Sequence, residues 1–301
     1  MDFQTVLLAI LDGLSYGALL FLVAVGITII FGVMNIINMA HGSMFAIGGY
    51  LAATVGGWML TATMSPYWSI VLLPVVAIVV GVLIGGLLES LLIRRIYGKN
   101  PVLQLLVTFA AFMIFEDLQR MVWGGQPYSS SELVTALGVV DVFGISYTTY
   151  QLLVVPGTAL LVFFALRLAL RHTLIGKQVV AVAHNREVST TLGINVRRVC
   201  FLTFVVGSAL GALGGAMSVQ TTSWVLGIGS EMIVLSFAVA ATAGLGQIEG
   251  ALVAAVMIGL ARSFSVYLMP ELEVLTPYII MTLVLLFRPQ GLFSVTQARR
   301  V

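Results

Sequence analysis

The sequence predicts an all-α polytopic membrane protein of about 8–9 transmembrane helices, some of them broken or re-entrant. Three observations predict it. First, the 301 residues are 60% hydrophobic and only 9% charged, against roughly a quarter charged in a soluble domain. Second, no Asp, Glu, Lys or Arg occurs between Gly13 and Leu88, a stretch too long for a single span of about 20 apolar residues. Third, all but two of the basic residues, Arg120 and Arg262, lie in or beside three segments. This composition excludes a soluble enzyme, a disordered tail and a collagen-like repeat. A net charge of +2 leaves no basic footprint for nucleic acid. Residues 1–301 therefore read as one transmembrane domain in a lipid bilayer.

The elements follow from the interruptions. A first span covers about residues 6–31 and is expected to be retained, because Asp2 rather than a basic stretch precedes it. The polar run Asn35 to Gly42 breaks the apolar sequence. A second span follows at 44–62, and Ser65-Pro66 marks a turn, since proline restricts its predecessor and lacks an N–H. A third span at 69–93 ends in a basic loop with Arg94, Arg95 and Lys99. The fourth, 102–123, carries Glu116, Asp117 and Arg120 near its far end. Glu116 and Arg120 are spaced to pair on one helix face, but their place near the outer end favours snorkelling to the interface instead. Residues 124–147 form a polar, acidic connection. The fifth span, 148–168, leads into the longest basic loop, 171–198. Spans at 199–220, 232–245, 250–268 and 275–287 precede a basic tail, 288–301. Glu249 is placed to cap the eighth span, where negative charge is favoured.

Charge sets the expected orientation. Twelve of the fourteen basic residues lie in or beside the two loops and the tail. The positive-inside rule places all three in the cytoplasm. The C-terminus is then cytoplasmic, and three crossings before Arg94 put the N-terminus outside. Cys200 is the sole cysteine, so no intramolecular disulfide and no CxxC metal site can form. Gly207, Gly211 and Gly215 repeat every four residues, as do Gly81 and Gly85, and Gly13 and Gly17. Small residues at this spacing let helices approach closely in lipid, within one bundle or between subunits.

The loop 171–198 is more than a tether. Val179, Val182, Ala183 and Val188 suggest one or two short amphipathic helices, with Gly176 and Gly193 as stops. Such a module suits either the membrane surface or a groove of a soluble partner.

The stretch Phe31-Gly32-Val33-Met34-Asn35-Ile36-Ile37-Asn38-Met39-Ala40-His41-Gly42-Ser43-Met44 resembles the N-terminal signature of branched-chain amino acid ABC transporter permeases. The loop ending Thr191-Leu192-Gly193-Ile194-Asn195 is similar to that family's ATPase-facing loop. Ala243-Gly244-Leu245-Gly246-Gln247-Ile248-Glu249-Gly250-Ala251 and Phe287-Arg288-Pro289-Gln290-Gly291-Leu292-Phe293 resemble its C-terminal motifs. The resemblance spans nearly the whole chain and is nearest to the first of the two permeases in such systems. It implies a permease subunit of an ATP-driven importer in the cell (inner) membrane. Its partners would be a second permease in a heterodimer, two cytoplasmic ATPases and an extracytoplasmic substrate-binding protein. Systems with similar permeases carry branched-chain or other amino acids, urea, short amides or aromatic acids.

Site expectations combine both lines. His184, Asn185, Arg186, Glu187 and Gly193 are candidates for ATPase coupling, the alternative for the charged pair being solvated surface. Asn35, Asn38, His41 and Gly42 are candidates for the translocation path, because amides in an apolar run need partners inside protein. The alternative is a buried, self-satisfied loop. No catalytic residue, metal site or cofactor is expected. Gly176-Lys177-Gln178 lacks the remainder of a phosphate-binding loop, and no Gly-x-Ser-x-Gly or His-Glu-x-x-His occurs. The rival function is a proton-coupled secondary transporter, for which Asp12 is the obvious titratable group.

Overall fold

The computed structural model describes residues 2–293. The tail residues Arg299 and Arg300 lie outside the described residues. The molecule is built of α-helices: α1 (Phe3–Met34), α2 (His41–Thr61), α3 (Ser69–Leu91), α4 (Pro101–Trp123) and the short α5 (Glu132–Leu137) come first. Strands β1 (Val139–Val142) and β2 (Ile145–Thr148) form a hairpin. Phe143 and Gly144 both take positive φ in its two-residue turn, the twist such a connection requires. A π-helical turn at Tyr150–Val154 leads into α6 (Val155–His172). Then follow α7 (Leu174–His184), α8 (Arg186–Thr191), α9 (Val196–Ser218), α10 (Ile228–Ala243), α11 (Ile248–Leu268) and α12 (Thr276–Phe287).

Among the described residues, seven helices are long and apolar enough to cross a membrane. The chain is thus an all-α polytopic membrane protein. Two of the expected spans are short, with α10 at 16 residues and α12 at 12. The acidic connection 124–147 is also more ordered than its composition predicts, since it holds α5 and most of the hairpin.

Helix α1 is the axis of the bundle. Every residue from Gly17 to Ile30 is buried, as expected of a helix that is apolar on all sides. It packs on α9, α10, α11 and α6. Helix α9 is buried continuously from Gly207 to Ser218 and lies between α1, α2 and α3. The outer helices expose large apolar side chains, among them Leu83, Ile114, Leu161 and Phe164, a surface matched to hydrocarbon. The regular glycines make the inner contacts. Gly207 meets Gly26 and Ile30 of α1, Gly211 meets the His41 ring, and Gly215 meets the Phe45 carbonyl of α2. Gly81 and Gly85 face Ala209 and Ser208 of α9, while Gly13 and Gly17 face Leu260 and Ala255 of α11. Each contact lies within this chain. Dispersion between such close backbones replaces the hydrophobic drive that lipid removes.

Two connections double back into the bundle. Helix α1 ends where Asn35 adopts φ 53° and its N–H bonds the Phe31 carbonyl. Six residues later, His41 reaches the Val23 carbonyl at 3.0 Å. Val23 lies eleven residues before Met34, a rise of roughly 16 Å along α1. Extended residues 35–40 can span that distance, so α2 starts about mid-bundle. From the other face, α9 ends at Ser218, yet Gly229 sits against Gly42. Because Gly42 follows His41, which touches Gly211, the chain has returned roughly 10 Å along α9. Trp224 anchors this return: it is fully buried and its Nε1 donates to the Ala46 carbonyl at 3.0 Å.

Candidate functional site

The two interrupted segments meet at Gly42 and Gly229. A Cβ on Gly42 would fall on the Gly229 carbonyl, and one on Gly229 would lie 2.7 Å from the Gly42 carbonyl. Only glycine on both sides allows the first turns of α2 and α10 to cross there. Their N-termini therefore meet inside the bundle, where the His41, Gly42, Ser43 and Met44 N–H groups bond the carbonyls of residues 38–40 and those of Ser230 and Glu231 bond the Gly227 carbonyl.

The four path candidates do not form one cluster. Asn35 is exposed and ends α1. Asn38 is completely buried, with neither its Nδ2 nor its Oδ1 partnered among the described residues. His41 is completely buried, held by Val23 and packed on Gly26 and Gly211. Gly42 is the crossing point. Within the loop the Asn38 carbonyl accepts from the His41 N–H at 3.3 Å, while its side-chain amide has no partner among the described residues; a buried polar group without a partner costs about 1–3 kcal/mol. Gly229 and Trp224 complete this region and were not singled out from sequence. The only local hint was the Gly227-Ile228-Gly229 spacing at a helix start.

The loop 171–198 folds as two capped helices. Thr173 accepts from the Gly176 N–H at 2.9 Å and starts α7. Asn185 accepts from Glu187 and Val188 N–H groups, each at 3.1 Å, and starts α8. Gly193, at φ 79°, ends α8. Asn195 caps α9 through the Arg198 N–H at 3.0 Å. Val182 and Ser189 face inward, whereas Val180, Val188 and Leu192 are exposed beside His184 and Glu187. Asn185 is thus a capping residue.

Arg186 is half-buried and turned inward rather than projecting freely. Its Nη2 donates to Cys200 Sγ at 3.1 Å, and its guanidinium lies 5.7 Å from the Tyr97 ring centroid. The Tyr97 hydroxyl donates to Glu89 at 2.6 Å, and Arg94 pairs with Glu89 at 2.9 Å. Burial first, and the bond to Glu89 second, push the Tyr97 phenol above its ordinary value, so it remains a donor. Arg186 thereby bonds α8 to Cys200 of α9 and lies over the ring of Tyr97, whose hydroxyl reaches Glu89 of α3.

Other charges depart from the simple spacing argument. Glu116 and Arg120 form no ion pair among the described residues. Glu249 is in the first turn of α11 but also meets Arg171 at 3.5 Å and Arg167 at 3.8 Å. This ties the start of α11 to the end of α6. No group of His, Cys, Asp and Glu among the described residues could hold a metal ion.

The sequence is similar to those of known transport permeases. The family model described as "Branched-chain amino acid transport system / permease component" matches residues 9–285. The high-affinity branched-chain amino acid transport system permease protein LivH of Escherichia coli (strain K12) is 27% identical over 296 residues, 96% of each chain. The corresponding permease protein BraD of Pseudomonas aeruginosa is 28% identical over 303 residues, 97% of each chain. The ribose import permease protein RbsC of Escherichia coli (strain K12) is 24% identical over 248 residues, covering 79% of this chain and 71% of its own. With more than two thirds of its length matched by the family model, the chain belongs to the permease components of branched-chain amino acid transport systems.

Proposed function

We propose that this chain is the membrane-spanning permease subunit of an ATP-driven importer for branched-chain or other hydrophobic amino acids, or a related small solute. It forms the translocation path with a second permease, two cytoplasmic ATPases drive it, and an extracytoplasmic binding protein delivers the solute. The basic loops and the C-terminus face the cytoplasm of a cell whose inner membrane holds the complex. LivH and BraD, both named as branched-chain amino acid permeases, support the substrate class. RbsC, named for ribose, keeps the solute identity a matter for measurement.

The observation that carries the path assignment is the buried, unpartnered amide of Asn38 beside the crossing of α2 and α10. Interrupted helices place polar backbone at mid-depth, where a solute can replace its lost water. Asn38 adds one donor group and one acceptor there. Coupling is assigned to α7 and α8. The exposed Val180, Val188 and Leu192 supply an apolar surface for an ATPase groove, with His184 and Glu187 at its edge. A rigid-body shift of α8 would pass through Arg186 to Cys200 of α9 and, through Tyr97, to Glu89 of α3.

Asn38→Leu in the complete importer tests the path. Uptake into proteoliposomes is expected to fall at least about tenfold, while the subunits still co-purify and ATP is still hydrolysed. Unchanged uptake kinetics would remove Asn38 from the path.

A further inference from the structure

A cavity of about 200 Å³ opens between α1 and α11, at the ends of these helices away from the basic loops. It is smaller than the roughly 300–1,000 Å³ pockets that hold drug-sized ligands. Its lining carries two opposite charges that do not neutralise each other. Asp12 accepts from the Tyr147 hydroxyl at 2.8 Å and the Tyr267 hydroxyl at 2.6 Å, and has no cationic partner among the described residues. Arg262 lies 4.1 Å over the Tyr16 ring and pairs with Glu273 through one nitrogen. A guanidinium has five N–H groups, so it retains donors after that bond. Ser263, next to it in sequence, also lines the cavity; it is 6% exposed and its Oγ is unpartnered among the described residues. Leu19 and Val266 give the same cavity an apolar wall.

A structural ion pair would bring Asp12 and Arg262 together. Here each is held by its own partners, and an unmet buried hydroxyl sits at the cationic end. We propose that this cavity binds the zwitterion of an α-amino acid, with the ammonium at Asp12 and the carboxylate at Arg262 and Ser263. A carboxylate suits the planar donor fork of arginine, and an ammonium suits an acceptor-only carboxylate. The apolar wall takes the side chain. This rests on the importer reading, under which the cavity faces the delivering protein and is the first site the solute meets.

The test uses the purified full-length chain in lipid nanodiscs and calorimetric titration with glycine, L-leucine, L-phenylalanine and L-glutamate. For the amino acid that binds best, the amine lacking the carboxylate and the acid lacking the ammonium are titrated next. Both are expected to bind at least about tenfold more weakly. Asp12→Asn should weaken the amino acid by a similar factor and leave the acid analogue unchanged. Ser263→Ala should weaken the amino acid and the acid analogue together. Unaltered elution and melting check that each variant is folded. Binding of none of the four, or binding that both variants leave unchanged, would overturn the proposal. ATP-driven uptake by the complete importer is measured in parallel. Uptake untouched by both variants removes this site alone. Binding that obeys the predictions, with uptake independent of ATP, removes the importer reading alone.

Discussion

At the scale of single residues, the glycines make the sharpest expectations. A side chain on Gly215 would meet the Phe45 carbonyl, which is backbone and cannot swing away. Gly215→Val is expected to lower stability by about 1–3 kcal/mol or more, read as an earlier unfolding midpoint in detergent. Gly57 has nothing within 4 Å of a Cβ, so Gly57→Ala should leave that midpoint in place. Glu89 is fully buried and takes bonds from Arg94 and Tyr97. Glu89→Gln should cost about 1–3 kcal/mol, less than a sealed ion pair, because Arg94 remains partly open to water. The repeat of glycines was legible because small residues at four-residue spacing have few uses in lipid. The inward turn of Arg186 was not, since its partners Cys200 and Tyr97 are distant in sequence and the local pattern equally suited a free surface charge.

At the scale of elements, the apolar runs and their interruptions located the long helices to within a few residues. Hydrophobic length is a local property. The depth of a connection is not. Residues 219–227 look like an ordinary polar loop, yet Trp224 carries them into the bundle by finding the carbonyl of Ala46, 178 residues away. The hairpin was likewise missed, because its strands are too short for an alternating pattern to stand out. The α7–α8 unit gives two tests. Gly193 has open space around it but positive φ, so the constraint is conformational rather than steric. Gly193→Asn should preserve uptake, whereas Gly193→Val should separate ATP hydrolysis from uptake, since a β-branched residue resists that backbone. Cys200 is the sole cysteine and is buried beneath Arg186. Its labelling by a maleimide should be slow in the folded protein and rise when Arg186→Ala loosens α8. Equal labelling in both would mean that α8 is not held by this contact.

At the scale of the whole molecule, composition alone implied a membrane protein, and the sorting of basic residues implied its orientation. Gln4→Cys should react with an impermeant maleimide in intact cells. Glu187→Cys should react only after permeabilisation, and the reverse pattern would invert the molecule. The buried native cysteine keeps the background low. The central claim is that movement of solute through this bundle is driven by ATPases acting on α7 and α8. It is tested most directly by uptake into proteoliposomes holding the complete importer, with ATP and the proton gradient varied independently. Uptake is expected to require ATP and to survive a protonophore. Uptake that persists without ATP and collapses with the proton gradient would contradict it.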